Sequence, residues 1–129
     1  MNGVDAITLG SLRVAGCTYE WAGSPPTLSL RGNAESSAAD DLIGLFRRLH
    51  DECVRTGVRD VRIDLRDLEF MSSSCFKSFV SWVLQIEELS AGARYAVVLV
   101  QSPAHHWQER SLHALAAMGP DVISIEVGE

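Results

Sequence analysis

The chain is poor in clustered cations, paired cysteines and long apolar runs, and each shortage removes a class of function. Its 11 lysines and arginines are outnumbered by 17 aspartates and glutamates, giving a formal net charge of −6, and no run of Lys or Arg interrupts that balance. A surface of this sign has no sequence-independent attraction to phosphate backbones, so nucleic acid is not expected as a partner. Cys17, Cys53 and Cys75 are odd in number, widely spaced and without a C-x-x-C pair. That fits neither a disulfide framework nor a zinc knuckle and points to a reduced, cytoplasmic protein. The longest purely apolar run, Tyr95 to Val100, is too short to span a bilayer, and Met1 to Gly16 has no basic stretch followed by an apolar segment. Neither membrane association nor secretion is expected. G-x-S-x-G, P-loop, G-x-G-x-x-G and H-E-x-x-H patterns are all missing, so no enzyme and no cofactor are expected.

What is present is enough for one core. In 129 residues, 47% are hydrophobic, and a chain of this size buries roughly two-thirds of its unfolded surface. No internal repeat or low-complexity segment divides it, so residues 1–129 read as a single domain. Leu12, Val14, Tyr19 and Trp21 alternate with polar residues. A five-residue turn, Ala22 to Pro26, then leads to a second alternating stretch, Thr27 to Arg31, and the two arms make a hairpin. Ser37 and Asp40 have capping-box spacing, and the apolar positions Ala38, Leu42, Leu45, Phe46, Leu49 and Cys53 predict a helix closed by Gly57.

The same order then repeats. Val61, Ile63 and Leu65 mark a strand with one covered face, and Asp67 to Ser74 reads as an aperiodic connection. Cys75, Phe76, Phe79, Val80, Val83, Ile86 and Leu89 mark a second helix. The run Tyr95 to Val100 is a central strand. Ser102-Pro103 supplies the start of a third helix carrying Trp107, Leu112, Leu115 and Met118, and Ile123, Ile125 and Val127 mark a last strand. The expected fold is α/β, with order β-β-α-β-α-β-α-β. Right-handed crossovers make the sheet mixed but mostly parallel after the amino-terminal hairpin, with helices mainly on one face.

Ser72-Ser73-Ser74 carries the most chemical information. Hydroxyls between a strand and a helix start sit beside free backbone N–H groups and the positive end of the helix dipole. They serve as helix caps, or they accept a phosphate, which adds a charge of about −1.5 to −2 without dismantling the helix beneath. The residues alone leave both readings open.

The strand Val61-Arg62-Ile63-Asp64-Leu65 followed by Phe70-Met71-Ser72-Ser73-Ser74-Cys75-Phe76 resembles the STAS domain, named for sulfate transporters and anti-sigma factor antagonists. Leu30-Arg31-Gly32-Asn33 and Ser102-Pro103-Ala104 resemble further landmarks of that family, and the likeness runs from about Leu12 to Val127. The resemblance implies a regulatory binding module of the anti-sigma factor antagonist type that acts by partner switching. Its partners would be an anti-sigma factor or related serine kinase, bound in the unphosphorylated state, and a PP2C-type phosphatase that resets the switch. By position the phosphoacceptor is Ser73, with Ser72 and Ser74 as neighbouring hydroxyls and helix cap. Cys75, Phe76 and Lys77 are the partner-docking residues, within a loop and helix spanning Ser72 to Ser81. Two positions depart from the family pattern: Ser72 stands where Asp is usual, and Cys75 where Gly is usual. They motivate a rival reading, an unmodified STAS-like scaffold or self-assembling subunit with no phosphoswitch; the chain is otherwise expected as a monomer or weak homodimer.

Three other constellations lead to blander readings. Cys75, in a first helical turn, has the position of a redox-sensitive thiol but falls on the apolar stripe, which favours packing. His105, Glu109 and His113 recur at intervals of four on the third helix, yet one helix face spread over two turns does not close a zinc site. Asp64 lacks the acidic pair after the first strand that a receiver-type phosphoacceptor requires. Small-ligand binding near the serines, for example of a nucleotide, is a further reading.

Overall fold

The computed structural model describes residues 9, 11–14, 16–23 and 25–128, with only the backbone for 11–14. The amino-terminal stretch searched for an apolar leader therefore lies mostly outside the described residues, as do Gly10, Ser24 and the side chains of Leu12 and Val14.

The elements are β1 (Ser11–Val14), β2 (Cys17–Gly23), β3 (Pro26–Ala34), α1 (Ala39–Thr56), β4 (Asp60–Met71), α2 (Ser73–Glu87), β5 (Ala96–Gln101), α3 (His106–Met118) and β6 (Ile123–Val127). All six strands form one sheet in sequence order. β1–β2 and β2–β3 pair antiparallel, while β3–β4, β4–β5 and β5–β6 pair parallel through the helices. This is the expected mixed α/β, STAS-like architecture, with two corrections at the start. The first arm is two strands, because the chain reverses between Val14 and Cys17. The turn is also two residues long instead of five, since Gly23 already pairs with Pro26.

Alternation assigns the two faces. Leu28, Leu30, Val61, Ile63, Leu65, Val97 and Leu99 point into a core closed by Leu42, Leu45, Phe46, Leu49, Phe79, Trp82, Val83, Leu112 and Leu115 from the helices. The opposite face carries Thr18, Glu20, Ser29, Arg31, Arg62, Asp64, Ser124 and Glu126 in registered pairs. The ion pair Arg62–Glu126 crosses it from β4 to β6, and Arg66–Asp64 lies along β4. Such exposed pairs contribute little to stability and mark this side as solvated.

α1 has the predicted stripe, and Gly57 ends it in the left-handed conformation (φ 71°), donating its N–H to the Cys53 carbonyl at 3.0 Å. The capping box is not formed. Ser36–Ala38 make a 3₁₀ turn, and Ala38, whose methyl side chain cannot accept a hydrogen bond, precedes α1. The third helix starts later than Ser102-Pro103 implied. Ser102 Oγ accepts from the Ala104 N–H in a short turn, and α3 opens at His106.

The largest departure is in β4. The stretch expected to be a connection continues as strand, pairing Asp67, Leu68, Phe70 and Met71 with Arg31, Gly32, Asn33 and Ala34 across two register shifts. Each shift moves the side-chain alternation out of phase, so Leu68 points inward while Glu69 and Phe70 both face out. On the other side of β3, Gly32 (φ 91°) lets the β1–β2 connection approach closely: a Cβ there would collide with the Gly16 carbonyl.

Candidate functional site

The three serines, one after another, do three different things. Ser72 is extended (φ −69°, ψ 163°) and is the N-cap of α2, its Oγ accepting from the Cys75 N–H at 3.2 Å. Its own N–H donates to the Ala34 carbonyl at 2.8 Å, which binds the end of β4 to the end of β3. Ser72 is buried, Ser74 is half-buried and Ser73 is exposed. No hydrogen bond links the Ser73 hydroxyl to any other described residue, so the fold does not use it. The cap is thus Ser72, and Ser74 does not share that role.

The residues after the cap split by direction. Cys75, expected on the docking surface, is 0% exposed, and its Sγ donates to the Glu35 carbonyl at 3.1 Å. That expectation is corrected, because a thiol turned to the core cannot meet a partner. Burial pushes the Cys75 thiol up from its ordinary value, against the opposing hydrogen bond from Ser72, so the thiol stays protonated and unreactive at neutral pH. Cys17 is likewise raised by burial, and Cys53 is pushed up to about 12. One turn on, Ser78 Oγ lies 3.2 Å from the Ala39 carbonyl and stitches α2 to the start of α1. Small side chains and backbone carbonyls therefore hold the two helix starts together.

Lys77 is exposed, whereas Phe76 is half-buried and packs its covered side against the core. With 100° per residue, Ser73, Lys77, Val80 and Leu84 share one arc of α2, about 16 Å long at 1.5 Å rise per residue. Leu84 is 50% exposed, and Phe70 on the preceding strand is 44% exposed. From Phe70 to Ile86 the sequence has no carboxylate and one cation, Lys77, although the whole chain is acidic. This is a mildly apolar, near-neutral strip with a free hydroxyl at one end, where α2 presents its unshielded positive pole.

Leu84 was not singled out by the sequence reading. Its signal is a leucine standing off the apolar stripe of an otherwise regular helix. Trp82, also missed there, is the opposite case: at 1% exposure it belongs to the core.

The remaining candidates are dispersed. His106, Glu109 and His113 lie exposed along α3, but His105 precedes the helix and leaves the four-residue spacing incomplete. Among the described residues no group of three His, Cys, Asp or Glu is arranged to hold a metal ion. Asp64 is on the open sheet face, where hydrogen bonds from Arg66 hold its carboxyl below the usual range. No described helix is long and apolar enough to cross a membrane.

No protein-family model and no curated protein matches the sequence. The fold does match a solved structure: a chain of the crystal structure of diguanylate cyclase SiaD in complex with its activator SiaC from Pseudomonas aeruginosa superposes with a TM-score of 0.68 at 12% identity. The match covers 92% of this chain and 98% of that one. At that identity the likeness establishes shared architecture over nearly the whole described molecule.

Proposed function

We propose that this chain is a non-enzymatic regulatory binding module, in which the outward strip of α2 docks on a protein partner and phosphorylation of Ser73 releases it. The division of labour among the serines carries the reading. Because Ser72 caps the helix, Ser73 is exposed and structurally unemployed, so its modification leaves the fold intact. A phosphate there is tolerated by the helix dipole while adding an anion to a stretch, residues 70–86, that has no carboxylate of its own. For a partner packed against Leu84, Phe76 and Phe70, that dianion must be desolvated or expelled, which turns binding off. The partners proposed are an anti-sigma factor or related serine kinase and a PP2C-type phosphatase, acting in the cytoplasm. The architecture shared with one chain from the complex of a diguanylate cyclase and its activator supports protein partners in general.

The test is direct. Incubation with a serine kinase encoded near the gene, followed by intact-mass measurement and peptide mapping, is expected to give one phosphate on Ser73 in the wild type and none in Ser73→Ala. A kinase that binds the chain yet phosphorylates none of the three serines overturns the switch in favour of the unmodified scaffold.

A further inference from the structure

Gln108, on the first turn of α3, is 0% exposed and fully hydrogen-bonded. Its Nε2 donates to the carbonyls of Leu65 at 2.6 Å and Leu68 at 3.0 Å, and its Oε1 accepts from the Ser102 N–H at 2.8 Å. A buried polar side chain this deep needs such partners. Here the partners also need the side chain. β5 pairs with β4 only as far as Asp64↔Val100. Beyond that point β4 continues to Met71 with β3 alone, across two register shifts, so its carbonyls on the β5 side have no ladder partner. Gln108 fills the place of the missing strand at Leu65 and Leu68, immediately before the segment that presents Phe70, Ser72 and Ser73.

We propose that Gln108 is a positioning residue for the serine surface. By substituting for the absent β5 partner it fixes the track of β4 from Leu65 to Met71, and with it the direction in which Phe70 and Ser73 are presented. Through Ser102 it joins the β5–α3 connection to the same unit. The functional meaning of this brace rests on the docking role proposed above; the brace itself is measurable without any partner, so the two can fail separately.

Two substitutions separate positioning from ordinary stability. Gln108→Met removes donor and acceptor at similar volume. Gln108→Glu keeps the acceptor for Ser102 but, while ionised, has no donor for Leu65 and Leu68. Amide hydrogen exchange of the full chain, expressed as protection factors, reads the Ser102 N–H directly and the end of β4 through the Ser72 N–H bonded to Ala34. In Gln108→Met both amides are expected to lose at least tenfold protection while Leu45 and Val83 keep theirs within about threefold. In Gln108→Glu, Ser102 is expected to stay protected. Ser72 keeps its protection while the introduced carboxyl, raised by burial among carbonyls, is protonated, and loses about tenfold at the higher pH where it ionises, a loss that acidification reverses by restoring one donor. An unchanged Ser72 in both variants overturns the proposal. So does a uniform loss over α1 and α2 without recovery on acidification, which is simple destabilisation.

Discussion

The two ends of α2 are held by different physics. At its start, Ser72, Cys75 and Ser78 are small, and their polar atoms reach backbone groups of Ala34, Glu35 and Ala39. Farther along, Trp82 stacks on Phe46 with ring centres 4.8 Å apart and planes 9° from parallel, and Phe79 meets the same ring edge-on at 4.7 Å. Trp82 Nε1 then donates to the Tyr95 hydroxyl at 2.9 Å, which also contacts His50 Nδ1 at 2.6 Å. The aromatic end anchors; the serine end is held mainly by small groups, with Phe76 half-buried at the edge of the core, and Ser73 and Lys77 are left exposed. A module whose surface charge changes on modification benefits from that separation, because the large packing energies lie away from the site.

The comparison breaks most visibly at the anchor. Trp82→Ala or Phe46→Ala is expected to cost about 3–5 kcal/mol, a large part of the roughly 5–15 kcal/mol of an ordinary domain, as read from urea unfolding. At the serine end Ser72→Ala should cost about 1 kcal/mol, since a cap is lost and the Cys75 N–H is left without its acceptor. Ser73→Ala should stay within about 0.5 kcal/mol of wild type in the same titration. Equal losses at Ser72 and Ser73 would erase the division of labour between them.

A pH series sharpens the same contrast. Burial lowers the His50 pKa from its ordinary value, with Asp51 and Glu88 pulling it back up. A lowered folded-state pKa means that the contribution of His50 is complete above about pH 6.5 and is lost as pH falls through the lower folded value. The wild-type urea midpoint should therefore decline between pH 7 and 5.5, and His50→Gln should show a flatter profile there. An identical decline in both proteins would place the pH sensitivity elsewhere.

Much of this architecture could be read from residue spacing. Val61, Ile63 and Leu65 alternate cleanly, and the Leu42 to Cys53 stripe matches its helix. Legibility ended where local pattern and tertiary pairing diverge. β4 beyond Leu65 looked irregular because two register shifts break the alternation that identifies strands, although β3 pairs with it throughout. Ser72, Ser73 and Ser74 are chemically identical in sequence, and only the extended backbone of Ser72 distinguishes the cap from the exposed hydroxyl. Cys75 was expected both on the docking surface, by its place beside the serines, and on the apolar stripe; helical geometry turns it toward Glu35 and the core, as the stripe implied. Gln108 has no sequence signal at all. Its value comes from carbonyls 40 and 43 residues away that lack a strand partner.

The Ser73 hydroxyl is tested by titrating the purified chain carrying phosphoserine at position 73, beside the unmodified chain, by calorimetry against the kinase that phosphorylates it. We predict at least a tenfold weaker affinity for the phosphorylated chain, similar weakening in Leu84→Asp, wild-type affinity in Ser73→Ala, and urea midpoints that agree across all four proteins. Equal affinity of the phosphorylated and unmodified chains would contradict the account.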